Sequence, residues 1–473
     1  LRPRGGASGP SFRSSDGGGI VRIANYLLNL SVSPNPTVTM TRLFTSFCAL
    51  VIATGAFAQA GYRPAPENLL SRSQFADCRF GIFLHWGLYA MLAQGEWAMT
   101  NHNLNYREYE KLAGGFYPSK FDADAWAEAF RQAGARYVCF TTRHHDGFSM
   151  FRTAQTPYNI VDATPFARDA VKELADACHR RGLRVHFYYS LIDWWREDAP
   201  RGRTGLGTGR PAEKEDADAY FDFMKAQLTE LLTQYGNVGA IWFDGIWDQD
   251  ENPGFDWRLG ELYGLIHKLQ PGCLIINNHH LAPFEGEDAQ AFERDLPGEN
   301  TAGYSGQEIS RLPLETCQTM NGMWGYKITD QNYKSAQTLV RYLAGAAGRG
   351  ANLLLNIGPQ PDGALPAAAL ERLDSMGRWL RANGETIYGT QAGPVSPRSW
   401  GVTTRRGDKI YVHILDWPDE ELFVPVRDER IRRAVRFADK RAVAFSQDKA
   451  GVTLRLGEKP AGADCIVELT VGQ

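Results

Sequence analysis

The chain carries little cysteine for its length: seven in 473 residues, none in a C-x-x-C pair. With no H-E-x-x-H or H-x-H spacing either, the common zinc centres are excluded. An excess of charge of one sign is also missing. The formal net charge is −3, which recommends no nucleic-acid partner. Long hydrophobic runs are confined to residues 43–58, a stretch of at most about one membrane thickness that Thr and Gly interrupt. No internal repeat is present, so a solenoid or propeller is not indicated.

Residues 1–39 are rich in Gly, Ser and Pro without sustained period. From Met40 the pattern changes to Met-Thr-Arg, an apolar stretch, and Ala56-Phe57-Ala58. These are the charged region, hydrophobic region and small-x-small cleavage site of a secretory signal. The expectation is an upstream non-native extension over 1–39, a signal over 40–58, and an exported protein, periplasmic or extracellular, beginning near Gln59. A mature chain in an oxidising compartment then has Cys78, Cys139, Cys178, Cys273, Cys317 and Cys465 to account for. Buried free thiols explain most of them; one or two disulfides stay open.

What is present is a series of short apolar runs, each ending in polar and aromatic groups. Phe80 to Leu84 runs into His85-Trp86-Gly87, and Ala135 to Phe140 runs into Arg143-His144-His145-Asp146. Val185 to Tyr189 ends at Ser190, and Val238 to Phe243 ends at Asp244-Gly245. Runs of this length read as strands buried on both faces of a parallel sheet. Helical stripes separate them: one capped by Asp122, one from Asp169 to Gly182, and the clearest through Tyr220, Met224, Leu228, Leu231 and Tyr235. Further elements are expected at 259–269, 273–277, 335–347, 352–357 and 367–383. The alternation predicts a (β/α) barrel over 59–390, with its active site at the C-terminal strand ends. Residues 279–324 break the rhythm. They read as a long functional loop region, and the barrel is expected to lack one or two helices. After Thr390, alternating segments such as 409–414 and 451–456 predict a C-terminal antiparallel β-sandwich over 391–473.

Aromatics make up 12% of the chain, with 12 Trp, which suits either sugar stacking or a large core. Asp244, at a strand end between Phe243 and Gly245, suits a glycosidase nucleophile; the plainer role is a helix cap or an arginine partner. Retaining glycoside cleavage needs a second carboxyl. Glu285, Glu287, Asp288, Glu293, Asp295, Glu299, Glu308 and Glu315 all qualify, and spacing does not choose among them. His144 and His145 are adjacent on a strand and so point to opposite faces, which argues against a shared metal and for sugar-hydroxyl contacts. His85 and the pair Glu96-Trp97 can serve the same end.

The ordered set Phe80-Gly81-Ile82-Phe83-Leu84-His85-Trp86-Gly87, Glu96-Trp97, His144-His145, Tyr188-Tyr189-Ser190, Trp242-Phe243-Asp244, Leu314-Glu315-Thr316-Cys317, Trp324-Gly325-Tyr326 and Asn352 to Pro359 resembles the α-L-fucosidases of glycoside hydrolase family 29. The resemblance runs in order from about Phe80 to Thr390. It implies a retaining exo-enzyme that removes terminal α-L-fucose from glycans or glycoconjugates, without metal or organic cofactor. Carried over by motif, it implies Asp244 as nucleophile and Glu299 as acid/base, with Glu293 as runner-up. It implies His85, His144, His145, Glu96 and Trp97 as sugar contacts, and Phe83, Tyr188, Trp242 and Trp324 as an aromatic wall around the C6 methyl. Two positions depart from the family pattern: His279 where Arg is common, and Arg143 where Lys is common. A related exo-glycosidase for a galactose-like sugar and a non-catalytic carbohydrate-binding protein are the rival readings.

Overall fold

The structure, a computed structural model, describes residues 61–473 apart from 418, 459–461 and 473. The expected extension over 1–39 and signal over 40–58 lie outside them. Eight parallel strands close into a barrel in chain order: β1 (Phe80–Leu84), β2 (Tyr137–Arg143), β3 (Arg184–Ser190), β4 (Val238–Asp244), β5 (Leu274–Asn278), β6 (Ala289–Glu293), β7 (Leu314–Thr319) and β8 (Ala351–Ile357). The apolar runs are continuous because both faces are covered. One face meets the surrounding helices. The other fills the barrel with Phe83, Tyr137, Tyr188, Trp242, Ile276 and Leu354, among others. Gly81 is required there, since a Cβ would overlap the Tyr137 ring that crosses the interior.

Helix α1 (Pro66–Ala76) precedes the barrel; α2 (Ala123–Gln132), α3 (Ala170–Arg180), α4 (Ala217–Gln234) and α5 (Leu259–Leu269) cover its first four crossings. α6 (Ala336–Gly348) joins β7 to β8, and α7 (Ala367–Asn383) follows. The side chains of Asp122, Asp169, Asp216 and Ser335 each accept a backbone N–H of the first turn of α2, α3, α4 and α6. No helix lies between β5 and β6 or between β6 and β7, the expected shortfall.

The region read as loop over 279–324 in fact holds two barrel strands. β6 is Ala-Gln-Ala-Phe-Glu, too short and too polar to register as an apolar run. β7 is polar because its side chains bond inside the protein. Glu315 accepts from the Tyr137 hydroxyl at 2.5 Å and from Trp242 Nε1 at 2.8 Å, and the Thr316 hydroxyl donates to the Asp295 carbonyl.

Beyond α7, β9 (Gln391–Ala392), β10 (Gly401–Arg406), β11 (Lys409–Ile414), β12 (Glu421–Val424), β13 (Ile431–Arg436), β14 (Ala444–Gln447), β15 (Val452–Arg455) and β16 (Cys465–Val471) make two antiparallel sheets. The five-stranded order is β13-β16-β11-β10-β9 and the three-stranded order β12-β15-β14. Alternate residues Ile410, Val412 and Ile414 share a core with Leu422, Val424, Val452 and Leu454 of the other sheet, as a sandwich requires. All six cysteines of the described residues are free thiols. Among the described residues no helix is long and apolar enough to cross a membrane.

Candidate active site

The strand register brings Ser190, Asp244 and Asn278 side by side at the C-terminal ends of β3, β4 and β5. Above them opens a cavity of about 650 Å³. Asp244 reaches it because the chain turns at Gly245 in the left-handed region (φ 104°), where a Cβ would meet Ile192 at 2.6 Å. Both Asp244 oxygens are engaged. Oδ2 accepts from the Tyr188 hydroxyl at 2.9 Å, and Oδ1 accepts from Trp247 Nε1 at 3.1 Å and from Asn278 Nδ2 at 3.4 Å.

Glu293 ends β6 as Asp244 ends β4, and it faces the same cavity. Its Oε2 accepts from Asn278 Nδ2 at 2.9 Å and from His280 Nε2 at 3.1 Å. One amide nitrogen therefore bonds both carboxylates. Burial, and then the charge of Glu293, raise the Asp244 carboxyl to about 6. At Glu293 burial pushes upward too, but the hydrogen bonds from His280 and Asn278 outweigh it and hold the carboxyl below its ordinary value.

The histidines are oriented from behind. His85 Nδ1 bonds Asn356 Oδ1 at 2.7 Å, and Asn356 Nδ2 donates to the Trp324 carbonyl at 2.7 Å, so β8 holds ring and indole together. His145 Nδ1 bonds Ser190 Oγ at 2.7 Å while that hydroxyl donates to the Ile192 carbonyl, which makes Nδ1 the donor. The other nitrogen, Nε2, lies 3.6 Å from Asp244 Oδ2. Burial lowers His85 and His145 to about 3, so both rings are neutral acceptors at their free nitrogen. His144 Nδ1 is buried without a partner among the described residues. Glu96 is buried at the same cavity and accepts from the Gly325 N–H at 2.6 Å. Burial raises its carboxyl.

Phe83 packs edge-on to Trp242 (5.1 Å) and Trp324 (6.0 Å), and Trp242 stacks on Tyr188 at 5.6 Å, forming one continuous aromatic wall. Trp97 stacks on Trp247 at 5.8 Å nearer the mouth, with Arg203 over the Trp247 ring.

Thus Phe83, His85, Glu96, Trp97, His144, His145, Tyr188, Trp242, Asp244 and Trp324 all line the cavity. Glu299 does not. Its side chain is 42% exposed and ion-paired with Arg349, and it is not among the residues that line the cavity. Glu293, the runner-up, lines the cavity and shares the Asn278 amide with Asp244. His279 is also directed elsewhere, bonding Glu287 at 3.0 Å, while His280 (φ 63°) and Arg294 (φ 63°) face the cavity. Arg143 is fully buried, bonding Asp193 at 2.5 Å and the Ser190 carbonyl at 2.6 Å behind His145. Asn278, His280, Arg294, Trp247, Arg203 and Tyr304 line the cavity without having been singled out in the sequence. For Asn278 a signal was available, since it ends an apolar strand as Asp244 does.

Residues 49–385 match the family model described as Alpha-L-fucosidase. The plasma alpha-L-fucosidase of Rattus norvegicus is 29% identical, covering 80% of this chain and 85% of its own. The alpha-L-fucosidase of Branchiostoma floridae is 30% identical, covering 76% and 83%. Among solved structures, alpha-L-fucosidase isoenzyme 1 of Paenibacillus thiaminolyticus superposes with a TM-score of 0.77 at 35% identity, over 86% of this chain and all of that one. An alpha-L-fucosidase of Bacteroides thetaiotaomicron, solved as a trapped covalent intermediate with 2-fluoro-fucosyl fluoride, gives 0.75 at 25% identity, over 87% and 98%. With a closed barrel, two carboxylates at its strand ends and these matches, the chain belongs to the α-L-fucosidase family and is a glycoside hydrolase.

Proposed function

We propose that the protein is a retaining exo-α-L-fucosidase, with Asp244 as nucleophile and Glu293 as acid/base. The observation that carries this is the shared amide. Asn278 Nδ2 lies 3.4 Å from Asp244 Oδ1 and 2.9 Å from Glu293 Oε2. Those two oxygens are therefore no further apart than the two distances combined. That bound admits the roughly 5–5.5 Å between the carboxyl groups of retaining enzymes. The covalent intermediate trapped in the Bacteroides thetaiotaomicron enzyme supports the same course.

In the first step Asp244 attacks the anomeric carbon and Glu293 gives its proton to the departing glycosidic oxygen. In the second, Glu293 takes a proton from water, the oxygen of that water bonds to the anomeric carbon, and the Asp244 ester bond breaks. Tyr188 and Trp247 hold the two Asp244 oxygens by hydrogen bonds and orient the attack. Between the two carboxyls the last proton favours Asp244, the member with the raised carboxyl. A bound glycoside favours the reverse: its oxygen accepts a hydrogen bond from protonated Glu293, and positive charge developing at carbon favours the Asp244 anion. The wall of Phe83, Tyr188, Trp242 and Trp324 suits a methyl rather than a hydroxymethyl group, which would lie there unpaired. A cavity floored by buried rings suits one terminal sugar residue, and a fucosylated glycan is the partner this implies.

The test is the product formed from an aryl α-L-fucoside, followed by NMR before mutarotation. Initial release of α-L-fucose supports two displacements; β-L-fucose would end the retaining reading, and no turnover would end the fucosidase one. Export is part of the proposal, supported by the apolar stretch over 43–58 and its small-x-small end. N-terminal sequencing of the mature chain checks it: a start near Gln59 supports signal removal, and a chain retaining residues 1–58 refutes it.

A further inference from the structure

Resting on the fucosidase reading above, we propose that Tyr304 is the platform for the leaving group, and that the leaving group is a pyranose presenting a flat C–H face. A proton can pass from Glu293 to the glycosidic oxygen only within hydrogen-bond reach. The departing group must therefore start on the Glu293 side of the cavity. Outward from Glu293 on that side comes His280, bonded to it at 3.1 Å, and then the Tyr304 ring, 5.4 Å from His280 and tilted 32° to it. Tyr304 lines the cavity and is 47% exposed.

A single exposed tyrosine is ordinary on a protein surface. This one sits on a loop tied to the acid itself. The buried Ser305 hydroxyl donates to the Glu293 carbonyl at 3.1 Å, and the Ser305 N–H donates to Asn300 Oδ1 at 3.0 Å. On the other side the Ala302 N–H donates to Asp295 Oδ2 at 2.8 Å. The platform thus keeps a set distance from the proton donor, as a subsite needs. A rigid ring with a phenol at its edge offers stacking area and one hydrogen bond at low entropy cost. That matches the apolar face and rim hydroxyls of a six-membered sugar, whereas a serine or threonine side chain, or a simple alcohol, has no face to stack.

Parent, Tyr304→Ala and Tyr304→Trp are to be compared on fucosyllactose and on α-L-fucosyl fluoride, whose leaving group is a single atom. In Tyr304→Ala, kcat/KM for fucosyllactose should fall about tenfold further than for fucosyl fluoride, and Tyr304→Trp should recover most of the difference. An equal fall on both substrates, or none on either, overturns the platform while leaving the fucosidase reading intact. A parent inert toward fucosyl fluoride overturns that reading and the platform with it.

Discussion

From β1 to β4, every crossing of the barrel carries a helix, and the cavity receives residues that are deeply buried and braced from behind. His85 leans on Asn356, His145 on Ser190, and Asp244 on Tyr188 and Trp247. From β5 to β7 the crossings have no helix. β6 pairs with β5 through two residues only, Ala289 and Gln290, and two of the contributed groups, His280 and Arg294, sit in left-handed backbone. Non-glycine residues pay for that conformation, and it persists where surrounding contacts impose it. On the assignment proposed above, the two regions divide the work: the helical half grips the sugar and holds the nucleophile, and the helix-poor half holds the proton donor and meets whatever leaves.

The sharpest way to test that division is to remove one carboxylate from each half. Asp244→Ala should lower turnover of an aryl fucoside by at least about 10⁴-fold with folding unchanged by circular dichroism. Azide should then enter from the face Asp244 has left, giving the β-fucosyl azide. Glu293→Ala should slow fucosyllactose by about 10²–10⁴-fold, with a far smaller effect on aryl fucosides, and azide should yield the α product. Glu299→Ala, removing a surface partner of Arg349, should stay within a few-fold of the parent. Comparable losses in the Glu293 and Glu299 variants would break the assignment.

A smaller effect is expected from pH. The productive pair holds one proton, so raising pH past the value of about 6 reached by Asp244 strips the last one and removes the acid. The kcat/KM for fucosyllactose should fall above that point. In Glu293→Gln the neighbouring charge is gone, Asp244 ionises more easily, and the alkaline fall should vanish with fucosyl fluoride. If that fall survives in the variant, another group is the acid.

The smallest effect concerns stability. Burial raises Glu315 and Asp146 each to about 7, above the roughly 4 of an unfolded carboxyl. A raised folded-state value favours the protonated form, so their contribution is complete below about pH 4 and is lost as pH rises through about 7. Tm should decline across that window, and Glu315→Gln should flatten the decline. A slope equal to the parent's would show that Glu315 does not titrate there.

What the sequence by itself determined is the helical half. Alternation of apolar runs with capped helical stripes follows from burial and periodicity, which are local, so β1 to β5, α2 to α7 and Asp244 at its strand end were all legible. The polar ends of those runs gave the histidines for the same reason. The strand at 352–357 and the C-terminal sandwich were legible too, and tertiary structure decided the two polar strands and the pairing of the carboxylates. β7 is polar because Glu315 finds Tyr137 and Trp242 across the barrel, partners far away in the chain. Glu293 rather than Glu299 faces Asp244 because β6 ends at Glu293 on the cavity, while the Glu299 side chain is drawn off to Arg349. Asn278 could bridge two carboxylates only once β4, β5 and β6 lay side by side. Hydrogen bonds between distant residues leave no periodic trace, so chemistry that depends on them is visible only in the folded chain.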